Sequence, residues 1–308
     1  MISTRTRITA VPILAAAGLV SSIPFALKAV AHQADATPEA DAVANPFADL
    51  GLPQLDLVVT PEGFSGIPES LEAGRYVLTV SGEAGEEDFI LGGMIVQFPE
   101  GVAIEDVAAQ AAESESGIPD VFYETIFAGG KPALAGMGET SAVSVIDLTP
   151  GEWHVLDQMF GKAPLSFTVT GEMPADVAEP EANVTLEMGE MYFEVTDGEF
   201  VAGENIVHLF NAGVQPHFAE IMMVPEGTTN ENIKAAIDAE MGGTPEAEPV
   251  DFSQAMPVTY LSEQSEGVSS WSPVTLEAGT YALMCWVADP ETGMPHAMMG
   301  MHSVFVVE

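Results

Sequence analysis

The sequence predicts an all-β protein built as two Greek-key β-sandwich domains, each with one short helix. Three observations carry this reading. Apolar residues alternate along short runs rich in Val, Ile, Thr, Tyr and Phe, which is the period of a half-buried strand. Turn signals built on Gly, Pro, Asn and Asp recur between those runs. The whole pattern occurs twice, in residues 54–170 and again in 183–308.

Taken in order, residues 1–31 read as a signal peptide. Arg5 and Arg7 form a basic start, Ile8–Leu27 is apolar and uncharged, and Ala29-Val30-Ala31 is a small-residue cleavage site. A retained membrane anchor is the alternative, weakened by Pro12 and Pro24. No cysteine follows the cleavage site to carry a lipid, and no later stretch is apolar for long enough to span a bilayer. The expected location is secreted, periplasmic or cell-surface. Residues 32–53 are Ala, Asp, Glu, Pro and Thr with few large apolar side chains, so they read as a flexible acidic tether.

The first copy, 54–170, predicts strands over Leu71–Val80 and Phe89–Phe98, then a helix over Ile104–Ala112. The Pro150-Gly151 turn opens Glu152–Asp157, and Leu165–Thr170 closes the copy. Residues 171–182, rich in Pro, Glu and Ala, are the linker. The second copy predicts strands over Phe200–Phe210 and His217–Val224 and a helix over Asn230–Met241, with Thr228 or Thr229 as its cap. The turn at Gly279 opens Tyr281–Val287, and Ser303–Val307 closes the chain. From Pro-Glu-Gly to the turn glycine is 50 positions in one copy (101 to 151) and 52 in the other (227 to 279). Near-equal spacing across several landmarks argues for duplication.

Charge narrows the function. The chain has 7 basic and 47 acidic residues, a formal charge of −40. Three basic residues and no acidic one lie in 1–31, so the processed chain keeps four basic residues and carries −43. Such a surface excludes nucleic acid and anionic lipid as partners and favours a cationic one or a salty medium. One cysteine cannot make an internal disulfide. No phosphate loop, dinucleotide fingerprint, paired-carboxylate pattern or calcium loop is present.

The stretch Tyr281–Glu308 holds the single cysteine, two of the six histidines and five of the sixteen methionines. Cys285 falls where a strand runs out, and His296 and Met301 follow in the next loop. Thiolate, imidazole and thioether together suit copper; two His and one Cys with a long axial Met is the blue-copper donor set. His217, in Phe210-Asn211-Ala-Gly213-Val-Gln-Pro216-His217, supplies the second imidazole. Met299 or His302 can replace Met301 as fourth ligand. Met222, Met223, Met294, Met298 and Met299 read as an apolar rim or as core filler. His208 and His154 read as structural, the latter as an ordinary surface or strand histidine.

The order Phe-Asn-x-Gly-x-x-Pro-His, then Gly-Thr-Tyr-x-x-x-Cys, then His-x-x-x-Gly-Met resembles the cupredoxins. The resemblance implies copper ligands at His217, Cys285, His296 and Met301. Ten residues separate Cys285 from His296, longer than in small electron carriers of that family and similar to copper nitrite reductases. Those enzymes and the multicopper oxidases join two copper centres through a His beside the Cys; here Met284 and Trp286 flank it. A second, catalytic centre is therefore not expected. In the first copy Leu91 aligns with His217 and Asp157 with Cys285, so that copy has none of the ligands. The resemblance implies an exported, non-enzymatic type 1 copper protein with a degenerate N-terminal copy. It would carry single electrons or copper to a redox or copper-exchange partner, possibly a cationic one. The alternative is a metal-free interaction module of the same fold at the cell surface, with Cys285 merely buried.

Overall fold

A computed structural model describes residues 45–85, 88–113, 118–157, 162–240 and 242–308. The signal peptide of 1–31, most of the tether and residues 158–161 of the loop at 158–164 lie outside the described residues.

The first half carries β1 (Gln54–Thr60), β2 (Gly63–Ser65), β3 (Ser70–Glu72), β4 (Gly74–Gly82), β5 (Met94–Gln97), β6 (Ile126–Phe127), β7 (Ser141–Leu148), β8 (Gly151–Leu156) and β9 (Leu165–Thr170), with helix α1 (Ile104–Glu113) after β5. The second carries β10 (Val184–Gly189), β11 (Tyr192–Gly198), β12 (Gly203–Asn211), β13 (His217–Val224), β14 (Met256–Gln264), β15 (Ser269–Leu276), β16 (Gly279–Met284) and β17 (His302–Val307), with helix α2 (Asn230–Glu240) after β13. In β1 the alternation is literal: Leu55, Leu57 and Val59 are buried and Gln54, Asp56 and Val58 exposed. At the head of α2, Thr229 Oγ1 accepts from Asn232 N while Asn232 Oδ1 accepts from Thr229 N, a reciprocal cap.

The pairing order is the same in both halves. β1 runs parallel to β4, which pairs antiparallel with β7; β10 runs parallel to β12, which pairs antiparallel with β15. The facing sheets are β9-β8-β5-β6, with β3 beside β9, and β17-β16-β13-β14. Each half is thus a β-sandwich. One core is built from Leu57, Val80, Ile146, Trp153 and Phe167, the other from Leu186, Leu209, Ile221, Leu283, Cys285 and Met301. Helix α2 covers the outer face of the second half, seating Ile233, Ala236 and Ile237 on Met222, Val224, Ala282 and Met284.

The halves are not merely strung together. Ser270 and Trp271 of β15 pair with Ile146 and Val145 of β7, so one eight-stranded sheet runs β11-β10-β12-β15-β7-β4-β1-β2. Trp271 is buried at that seam. The His208 ring stacks on it at 4.7 Å, and the Arg75 guanidinium lies 4.3 Å from its centroid while pairing with Asp147. A second seam joins the loop after β6 to the end of β14. Ser262 N donates to Gly130 O, Phe127 N to Ser265 Oγ, and Ala128 bridges Gln264.

Of the two readings of each, the strand reading of His154 and the core-filler reading of Met222 and Met223 hold. His154 is buried in β8, with Nδ1 2.8 Å from Ser166 Oγ and its ring tilted against Phe98. Met222 and Met223 do not rim the Cys285 end. They pair across from Ala282 and Tyr281 and pack into the cores.

Candidate metal centre

Strand β13 delivers His217 at its first residue, and β16 ends one residue before Cys285. The expected strand over Tyr281–Val287 stops early for a local reason. Cys285 N turns to Met301 O and its carbonyl accepts from Ala297 N at 2.6 Å, so the chain leaves the ladder to wrap its own loop. That loop folds back: Asp289 N bonds Met294 O, His296 N bonds Val287 O, and a short helical turn carries His296 inward.

The Nδ1 atoms of His217 and His296 lie 3.0 Å apart. Cys285 Sγ is 3.9 Å from the first and 3.6 Å from the second. All three side chains are buried. Met301, also buried, belongs to the same core cluster as Cys285, and its N–H donates to the His296 carbonyl. Met299 receives the Thr292 hydroxyl at its sulfur, at 3.7 Å. His302 opens β17, where its backbone pairs with Met284.

The surrounding groups hold the donors from behind. Buried Asn211 donates to the carbonyls of Gln215 and Gln264 and accepts from Gly213 N, which fixes the turn before His217. Glu190 sits on the two-residue turn between β10 and β11, where Met191 is forced to φ 65°. Its carboxylate accepts from Val214 N and Gln215 N and stands 3.8 Å from His217 Nε2. On the other side, Asp289 accepts from Gln215 Nε2, and Gln215 Oε1 lies 2.8 Å from His296 Nε2. Trp286, next to Cys285, donates to Glu220. From the first half, Tyr123 donates its hydroxyl to Ala288 O at 2.7 Å.

Burial governs the protonation states. It pushes the Cys285 thiol up to about 12, so without a cation beside it the sulfur stays protonated. This removes it as a free nucleophile, since thiol chemistry needs the thiolate. Burial pushes both histidines down to about 4, with His217 adding to the effect on His296. Both rings are therefore neutral near pH 7 and offer lone pairs.

The donor set fits a metal ion. At bond lengths of about 2.0 Å to nitrogen and about 2.3 Å to sulfur, ligand atoms of one small ion stand roughly 3–4 Å apart, which is the spacing found. His217 Nε2 faces the Glu190 carboxylate at 3.8 Å, which leaves Nδ1 toward Cys285 and His296. One soft sulfur, two imidazoles and a nearby thioether favour copper over hard cations.

Sequence reasoning places the four proposed ligands, and the structure brings His217, Cys285 and His296 together with Met301 packed alongside. It passed over Glu190, Gln215, Asp289 and Tyr123. Only the Asn-x-Gly turn signalled that the segment before His217 was special.

Comparison with solved structures finds cupredoxins. The chain is similar to a dithionite-reduced auracyanin from the photosynthetic bacterium Roseiflexus castenholzii: 22% identity over 40% of this chain and 94% of that one, TM-score 0.26. It is similar to auracyanin A, a "blue" copper protein from Chloroflexus aurantiacus (21% identity, 41% and 98% covered, TM-score 0.25). Rusticyanin from Thiobacillus ferrooxidans matches at 15% identity, with 40% and 76% covered and a TM-score of 0.23. No family model matches the chain, and no curated protein matches it.

Proposed function

We propose that this chain is an exported type 1 copper protein that carries single electrons through its C-terminal half. The observation that carries the reading is the meeting of His217 Nδ1, His296 Nδ1 and Cys285 Sγ within 4.8 Å of one another in a buried pocket. Those three would hold the ion, with Met301 as a weak fourth ligand. Copper supplies a one-electron couple when bound. The protein's part is to keep the donors in place and water out, so that little has to move between oxidation states. The donors come from β13 and from a loop braced by Asp289, Gln215 and Tyr123, which suits that task.

The N-terminal half reads as a diverged copy. Its strands pair in the same order, while Leu91 and Asp157 stand at the positions that align with His217 and Cys285. In this reading it has no second centre, the protein is not an enzyme, and its role is to brace the copper loop. The acidic surface steers a cationic partner toward the protein. No helix among the described residues is long and apolar enough to cross a membrane.

The test is direct. Purified protein given Cu(II) turns intensely coloured through thiolate-to-copper charge transfer, and Cys285→Ser abolishes the band while the protein stays folded. A folded wild type that stays colourless removes the electron-carrier reading. Tight Cu(I) binding without a reversible redox wave, lost in Met301→Ala, would point to copper carriage.

A further inference from the structure

We infer that Gln215 is a positioning residue: it fixes His296 as the Nε2–H tautomer, which turns the Nδ1 lone pair toward Cys285 and His217, and it covers the ring's outer edge. This rests on the reading of His296 as a ligand, but the tautomer is a property of the metal-free protein.

The direction of the Gln215 amide follows from what faces it. An ionised carboxylate only accepts hydrogen bonds. Asp289 Oδ2 is 3.1 Å from one end of the amide, so that end is the NH₂ group. Asp289 is itself held, its Oδ1 accepting from Glu291 N, Thr292 N and the Thr292 hydroxyl. The other end, Oε1, therefore faces His296 Nε2 at 2.8 Å. A carbonyl oxygen only accepts, so Nε2 carries the proton. A neutral imidazole has one N–H, which leaves Nδ1 as the lone pair.

The backbone keeps the amide from swinging away. Gln215 N donates to Glu190 Oε1 and Gln215 O accepts from Asn211. The same segment that supplies His217 thus sets the ring of His296, 81 positions along the chain. Partners of this kind behind a metal-binding imidazole are worth about 10- to 100-fold in affinity.

The experiment is long-range ¹H–¹⁵N NMR of the two rings in full-length, metal-free protein, followed by Cu(II) titration. Wild type should show His296 as Nε2–H. Gln215→Leu should turn His296 into a mixture of tautomers and weaken Cu(II) binding about 10- to 100-fold. Gln215→Glu, which keeps an acceptor opposite Nε2, should retain the Nε2–H form. A wild-type His296 protonated on Nδ1, or a Gln215→Leu protein with unchanged tautomers, overturns the assignment. If Gln215→Leu does not fold, loss of the Nε2–H form in Gln215→Glu overturns it equally. A wild type with the expected tautomers that takes up no copper sinks the copper reading and leaves the role of Gln215 in orienting His296.

Discussion

A methyl group added at Gly213 would stand 2.7 Å from Glu190 Oε1 and 2.8 Å from His217 Nε2. The gap between carboxylate and ring is closed to anything larger than hydrogen, so Gly213→Ala must push one of them aside. We expect a loss of roughly 1–3 kcal/mol in denaturant unfolding and weaker copper binding. An unchanged copper affinity would show that His217 is not held from this side. A different residue decides the pH response. Burial raises the Glu263 pKa above its ordinary value, against the opposing effect of the hydrogen bond from Tyr260. Its second oxygen is buried without a partner among the described residues. The folded protein therefore holds a proton there that the unfolded chain gives up. That contribution is complete below the unfolded carboxylate range and declines as pH rises through the raised folded value. Glu263→Gln keeps an acceptor for Tyr260 and should flatten this decline above the ordinary carboxylate range in urea titrations. A variant with the wild-type slope would place the titration elsewhere.

One strand carries His217 and another ends one residue short of Cys285, and strands were the most legible part of the sequence. Alternation placed β12, whose buried residues recur at every second position, and capping chemistry placed α2. The three donors that meet were legible because they are the lone cysteine, a histidine after an Asn-Gly turn and a histidine in the loop beyond the cysteine. Their supports were not, since Glu190, Gln215 and Asp289 meet only through loop geometry, and loop geometry leaves no period in the sequence. Tyr123 is the plainest case. It lies 165 positions from Ala288, and nothing around it marks it as a partner of the Cys285–His296 loop. Tyr123→Phe removes one hydroxyl donor and leaves the Ala288 carbonyl unmet, at a cost of about 1–2 kcal/mol. The loss should appear locally, as faster amide exchange at Asp289 and His296. Equal exchange in both proteins would mean that the first half does not brace the loop.

Across the whole molecule, the feature least visible in the sequence is the join between β7 and β15. The Pro- and Glu-rich stretch at 171–182 reads as a linker between two domains, yet the sheet passes from one half to the other beside it. Arg75, in the first half, stacks on Trp271 and also donates to Ala178 O within that stretch. Leu134, Phe89 and Ile90 of the first half pack against the core that contains Cys285. Calorimetry should therefore give one cooperative transition, with equal calorimetric and van't Hoff enthalpies; two resolved peaks would show that the seam is only a surface contact. The same join bears on fragments. A cut within 171–182 severs the chain but leaves two complementary strand edges, each a template with open N–H and C=O groups. Pieces made separately should find one another on mixing, which makes the protein a natural starting point for a two-part complementation reporter.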